Sequence, residues 1–298
     1  MIAVQLLLVL AGAPLLPGVI NKTKALVAGR VGPPLLQTYF DLAKLARKES
    51  VLSSTTTWVF LAGPAVSLVV AVVASLFLPF TGPKAPLAFR GDMILFVYLF
   101  ALGRFFTTAA ALDTGSSFEG MGAARDLTFA CLAEPALFFG LLALARVGHS
   151  LELSVVLSVS AAAWRTATAA LVLIVASWFI VLLVESSRVP FDDPNTHLEL
   201  TMIHEVMVLD HSGPALGVVL YAGAVKLFVF AALVAHVLLP RLAQPAANAA
   251  LSFAAILAIG VVIGAIESAM ARLRLVRVPQ LLITASLVAA FAVVLVLR

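Results

Sequence analysis

The sequence predicts an all-α polytopic membrane bundle of about eight transmembrane helices, with one short amphipathic surface helix, and three observations carry that prediction. Of 298 residues, 62% are hydrophobic and only 11% charged, against a charged fraction near a quarter in soluble domains. Mean hydropathy is +1.12. The apolar runs are about 20 residues long and do not alternate, so their backbone must pair within each segment as helices, which excludes a barrel.

Spans are expected near 2–20, 58–80, 93–112, 127–147, 163–184, 215–239, 251–267 and 280–297, from runs long enough to cross hydrocarbon. The apolar start lacks a basic n-region, and Pro14, Pro17 and Gly18 form no small-residue cleavage site, so it reads as a first span and not as a removed leader. No internal repeat is visible, and residues 1–298 read as one integral membrane domain. Orientation follows from basic residues. The loops after spans 1, 3, 5 and 7 carry Lys22, Lys24, Arg30, Lys44, Arg47, Lys48, Arg125, Arg188, Arg272, Arg274 and Arg277, whereas the opposite loops hold Lys84, Arg90, Arg146, Arg165 and Arg241. The first set is expected in the cytoplasm and both termini outside it, in a multi-pass plasma (inner) membrane protein. The Gly-rich stretch 113–126 reads as a loop on that same face.

In the first loop, "LLQTYFDLAKLARKES" places Gln37, Asp41, Lys44 and Lys48 opposite Leu36, Tyr39, Phe40 and Ala43. This spacing predicts the amphipathic surface helix, as a lipid anchor or a docking element.

Charges also fall inside the spans: Arg104, Glu134 beside Pro135, and Lys226, with Glu185 and Glu267 at span ends. Each central charge costs about 2.5–3.5 kcal/mol on insertion, so each must face protein or water with a partner. Fixed ion pairs and a chain of titratable groups are both compatible with this pattern. Arg104 stays protonated and can tune such a chain but not pass its proton along it.

Residues 184–214 collect six of the fifteen acidic residues and three of the five histidines. "HEVMV" at His204 resembles the zinc-protease motif, but Val208 stands where the second histidine is needed. His197, Glu199, His204 and His211 follow no strong ligand spacing, and no metal site is expected. Neither a nucleophile with its base nor a phosphate-binding glycine loop appears, since "GMGAARD" follows no strand. Leu198, Leu200, Met202, Ile203, Val206, Met207, Val208 and Leu209 give this loop an apolar surface that must pack against protein. The lone Cys131 can hold neither an iron–sulfur cluster nor a disulfide within the chain. No cofactor is expected on this chain alone, and no nucleic-acid partner.

"GRVGPPLLQTYFDLAKLARKE", "ALDTGSSFEGMGAARD", "AEPALFFG", "VESSRVPFDDPNTHLEL" and "IESAMARLRL" together resemble the large membrane subunit of formate hydrogenlyase and other group 4 membrane-bound nickel–iron hydrogenases. That subunit is itself related to the quinone-site membrane subunit of respiratory complex I. The resemblance implies a subunit whose cytoplasmic loops seat a small subunit carrying an iron–sulfur cluster. A large catalytic subunit with the nickel–iron site and antiporter-like membrane subunits would complete the complex. In complex I relatives the same loops enclose a quinone tunnel that leads to buried carboxylates, so a quinone enters as a candidate ligand.

By position, the resemblance implies a docking surface or quinone-like cavity at Gly32, Pro33, Arg125, Asp126, Arg188, Phe191 and Asp192. Together with the charges within the spans, it leads to an expectation of proton or sodium coupling through Glu134, Glu185, Asp193, His197, Glu199, Glu205, Lys226 and Glu267. Asn195 and His197 stand where complex I relatives carry glutamates, which favours the hydrogenase side. The expected function is a non-catalytic membrane subunit that anchors an electron-transfer arm and couples it to ion movement. A quinone-reducing subunit and a stand-alone ion transporter are the alternatives.

Overall fold

A computed structural model describes residues 2–82, 84–159, 161–192, 202–240, 242 and 244–297. Among them are twelve α-helices and no strand: α1 Ile2–Gly12, α2 Leu15–Val27, α3 Gln37–Ala46, α4 Trp58–Ser75, α5 Asp92–Asp113, α6 Ser117–Gly148, α7 Leu153–Val156, α8 Ala161–Thr166, α9 Thr168–Glu185, α10 Gly213–Leu238, α11 Pro245–Ala269 and α12 Val278–Leu297. Eight segments are long and apolar enough to cross a membrane, the first made of α1 and α2 together. The protein is therefore a multi-pass membrane bundle.

α10 is the most buried span and packs against α4, α9 and α11. α4 also pairs with α5, α11 with α2, and α12 with α6 and α9. One apolar core runs through the spans, from Val9 in α1 to Ala292 in α12.

Five expected boundaries shift, among them the seventh span, which starts at Pro245 and not 251 because proline opens α11. The first span extends from Ile2 to Val27 because it is two helices broken at Pro14. Proline has no N–H to return to the carbonyl four residues back, and Tyr221 Oη donates to that carbonyl, Leu10 O, at 2.9 Å. Tyr39 Oη, on the amphipathic helix α3, donates to the next one, Ala11 O. α3 itself forms where its periodicity predicts, over Gln37–Ala46, and packs against α2 and α10.

The second predicted span reaches residue 80, but α4 stops at Ser75. Phe77, Leu78 and Phe80 continue as buried non-helical chain, which hydropathy alone cannot distinguish from helix. The stretch that reads as a loop at 113–126 is helical from Ser117, so α6 starts ten residues ahead of the expected 127. Its glycines serve close packing: a Cβ on Gly122 would lie 2.2 Å from Val206 Cγ1. The fifth span starts at Thr168, not 163, after the short helix α8.

Antiparallel neighbours are tied at their ends. Thr57, which caps α4, donates from its backbone N–H to Asp113 Oδ2 at 2.6 Å and from its hydroxyl to Oδ1 at 2.9 Å. A carboxylate at the C-terminal end of α5 opposes the helix dipole, and these donors compensate it. Pro64 inside α4 leaves Phe60 O without its helical donor. His211 Nε2–H takes that place at 3.3 Å, and its ring stacks on Phe60 at 4.0 Å between centroids.

Candidate functional site

A cavity of about 550 Å³ opens at the end of the bundle that carries the first loop. It lies between α3, α4, α5, α6 and α10, the chain after α9, and the segment 203–211. Its deep end is apolar, at Val70, Ala71, Phe100 and Leu227, whereas its wall carries Arg104, Asp126, Glu185, Asp192, His204 and Lys226.

Four helices deliver the charges of that wall. Arg104 on α5 reaches three carboxylates: Glu185 on α9 at 2.5 Å, and Glu134 and Asp126 on α6 at 2.7 and 3.5 Å. Asp126 and Glu134 share a face because eight residues make about two helical turns. Lys226 on α10 closes the group on the other oxygen of Glu185, at 2.7 Å. One guanidinium among three acids keeps its proton, since its five donors and high intrinsic pKa suit it to several carboxylates at once. Glu185 is thus held between two cations, and Glu134 is the most exposed member of the group, its side chain 36% accessible.

Two further ion pairs flank this group. Glu267 at the end of α11, its side chain fully buried, lies 3.0 Å from Lys24 on α2 and 3.6 Å from Arg188. Both contacts are charge pairs without aligned hydrogen bonds. Asp192 pairs with Arg272 at 3.0 Å and accepts the backbone N–H groups of Ile203 and His204 at 3.2 and 2.9 Å. The segment that follows is fastened to the start of α6 by residues one turn apart. Arg125 donates to Met202 O at 3.0 Å, Gly122 receives Val206, and the buried Glu119 accepts the N–H of Asp210 at 3.0 Å.

Burial pushes the pKa of His204 below its ordinary 6.5. Asp126 and Asp192 oppose that shift, while Lys226 reinforces it. His211 shifts down for the same first reason. Both imidazoles are neutral at pH 7.

Of the residues expected at a docking surface or cavity, Asp126, Arg188, Phe191 and Asp192 line the cavity wall. Arg125 stands beside it, bonded to Met202. Gly32 and Pro33 are exposed in the first loop, away from it. Gly32 has φ +67°, and a Cβ there would lie 2.3 Å from that of Ala25, so glycine is required. Of the residues expected to couple protons, Glu134, Glu185 and Lys226 meet at Arg104, Glu205 lines the cavity, and Glu267 belongs to the flanking pair. Asp193, His197 and Glu199 lie outside the described residues, as does Asn195.

Sequence reasoning misses Lys24, Arg272, Glu119 and His204 as members of such a site. Lys24 and Arg272 read only as orientation charges, and nothing local in the chain announces their partners 243 and 80 residues away. Among the described residues, no three His, Cys, Asp or Glu side chains converge as a metal site.

The fold and the site define an eight-span helical membrane protein whose buried charges gather at one end, beside a cavity. The whole chain, residues 1–298, matches the family described as NADH dehydrogenase, and it belongs to that family. It is 32% identical over 285 residues to formate hydrogenlyase subunit 4 of Escherichia coli (strain K12), covering 93% of this chain and 92% of that protein. Hydrogenase-4 component C of the same organism is 31% identical over 236 residues, 79% of this chain and 74% of that one. A subunit of the NADH-quinone oxidoreductase of Chlorobium luteolum is 28% identical over 246 residues, covering 76% of this chain and 64% of that one. A chain from the membrane-bound sulfane sulfur reductase, an archaeal respiratory membrane complex, shares the fold over 99% of both chains, with a TM-score of 0.84 at 21% identity. The resemblance read from the loop motifs holds: this is a membrane subunit related to those of formate hydrogenlyase, hydrogenase-4 and complex I.

Proposed function

We propose that this chain is the non-catalytic membrane subunit of a hydrogenase-type complex, anchoring a peripheral electron-transfer arm and coupling its redox change to proton or sodium movement. The observation that carries this reading is the shared Arg104: it meets Asp126, Glu134 and Glu185, Lys226 joins through Glu185, and the group draws on four helices with Arg104, Asp126, Glu185 and Lys226 at the cavity wall. A set of ion pairs needed only for stability gains nothing from opening onto a cavity. Charges that must respond to an event at the loops do.

The magnitude is adequate. A unit charge placed about 10 Å from a carboxylate at an effective dielectric near 20 changes its protonation energy by about 1.7 kcal/mol, more than one pKa unit. The Asp192 clamp and the neutral His204 stand between the loop surface and the Arg104 group and would feel such a change first.

The nickel–iron site and iron–sulfur clusters of this reading belong to a large and a small partner subunit, and antiporter-like membrane subunits would carry the ions onward. The asymmetry of Lys and Arg supports placing the cavity end in the cytoplasm and both termini outside, in the inner membrane. Purification of the complex in mild detergent tests the assignment. It is expected to bring down an iron–sulfur small subunit and a large subunit with two CxxC pairs; recovery of the chain alone, stable and transporting, contradicts it.

A second reading, a quinone-reducing subunit of the complex I type, is favoured by the size of the cavity and its apolar deep end. Redox assays of the purified complex with added quinone separate the two.

A further inference from the structure

The half of the bundle beyond the cavity is built differently, and we infer that it is a fixed plug that closes the cavity against the far face of the membrane, with Gln5, His236 and Asn248 as its positioning residues. Past Ser75 the chain leaves the helix without leaving the core: Leu78 and Phe80 are fully buried. Backbone that is buried in protein but out of the helix needs donors for its carbonyls; turn contacts from Leu78 N–H to Ser75 O and from Phe80 N–H to Leu78 O, at 3.3 and 3.2 Å, supply only part of them.

Side chains from three spans supply more. Gln5 Nε2 donates to Ser75 O and Leu78 O, each at 2.8 Å, and Asn248 Nδ2 donates to Phe80 O at 3.2 Å. The buried imidazole of His236 lies between Pro79 O, 3.1 Å from Nε2, and its own helix at Ala232 O, 2.6 Å from Nδ1. A connection that merely turned at the headgroups would be hydrated and need none of these.

Aromatic rings fill the distance between this segment and the cavity. Phe100, at the cavity floor, packs against Phe96 and Phe230 with centroids 5.3 and 4.9 Å apart. Phe80 in turn meets Phe228 at 5.9 Å and His236 at 5.3 Å. The consequence is one-sided access: water and ions reach the Arg104 group from the first-loop end and have no straight path onward through the described residues.

Two serines on α4 report on the two sides of the floor. Ser67 lines the cavity, and Ser75 sits at the plug, about 12 Å further along the helix at 1.5 Å per residue. The assay uses the assembled complex in sealed vesicles of either orientation. Exposed Cys131 is first replaced (Cys131→Ala), then Ser67→Cys or Ser75→Cys is introduced, and a permanently charged thiosulfonate is added. Ser67→Cys is expected to react from the first-loop side, and Ser75→Cys about 100-fold more slowly from both sides, as a site reached only by local opening. Adding Gln5→Leu with His236→Leu should raise the Ser75→Cys rate from the far side by about tenfold or more, while unchanged Ser67→Cys labelling reports an intact fold. Reaction of Ser75→Cys at the Ser67→Cys rate in the otherwise unaltered protein would overturn the plug. A rate unmoved by the double substitution would overturn the role of Gln5 and His236. Neither readout requires turnover, so the outcome is independent of whether the chain couples ions.

Discussion

The two ends of this bundle solve the problem of buried polarity in opposite ways. At the first-loop end, full charges are buried in groups around Arg104, Glu267 and Asp192, beside a cavity. At the far end, side-chain amides and the His236 imidazole meet backbone carbonyls among packed phenylalanines, and the buried carboxylate of Asp92 accepts the backbone N–H groups of Leu153 and Phe89 at 2.6 and 3.3 Å. Charge groups are costly to bury and respond to a change in nearby charge, whereas hydrogen bonds to the backbone fix geometry. The contrast is between charges that meet other charges and polar groups that meet the backbone.

The largest effect is expected from Arg104→Leu, which leaves Asp126, Glu134 and Glu185 with one fewer cation. Removing one partner of a buried ionic group costs about 3–5 kcal/mol, so thermal unfolding in detergent should fall sharply or the complex should fail to assemble. An unchanged melting profile would make the group dispensable and erase the contrast. Gly122→Ala comes next. Its Cβ would meet Val206 at 2.2 Å and Ile203 O at 2.9 Å, an overpacking worth about 1–3 kcal/mol. Amide exchange within 202–210 should accelerate, while exchange at the far end stays as it was.

Tyr221→Phe removes the donor to Leu10 O at the Pro14 break and is expected to cost about 1 kcal/mol in unfolding measurements. The smallest effect concerns pH. With folded pKa values of His204 and His211 below 6.5, the unfolded chain binds more protons in the window beneath 6.5, so their contribution is complete above that pH and declines as pH falls. Melting temperature should therefore drop between pH 7 and pH 5.5, and His204→Gln should shallow that slope. An equal slope in the variant would place the titration elsewhere.

Legibility in the sequence divides along the same line. The spans are readable because hydrocarbon imposes length and apolarity, and α3 is readable from its two-faced spacing. Residues 76–80 read as helix because hydropathy weighs side chains and cannot see which carbonyls lack partners. The start of α6 reads as loop because Glu119, Gly122 and Arg125 carry a tertiary contact in glycine-rich text. Arg104, Glu134, Glu185 and Lys226 stand out one by one as intramembrane charges, yet their convergence depends on packing among α5, α6, α9 and α10. Nothing local in the sequence marks His236, since its partner Pro79 O is 157 positions away.

If the Arg104 group couples redox turnover to ion movement, Glu185→Gln is the substitution that should separate the two. This near-isosteric change keeps the side chain between Arg104 and Lys226 but removes its charge. In the purified complex reconstituted into vesicles, Glu185→Gln should lower the melting temperature but, with Asp126 and Glu134 still on Arg104, leave an assembled complex that transfers electrons and moves about tenfold fewer ions per turnover, because the carboxylate joining Arg104 to Lys226 has lost its charge. An assembled variant that moves as many ions per turnover as the unmodified complex would contradict the coupling.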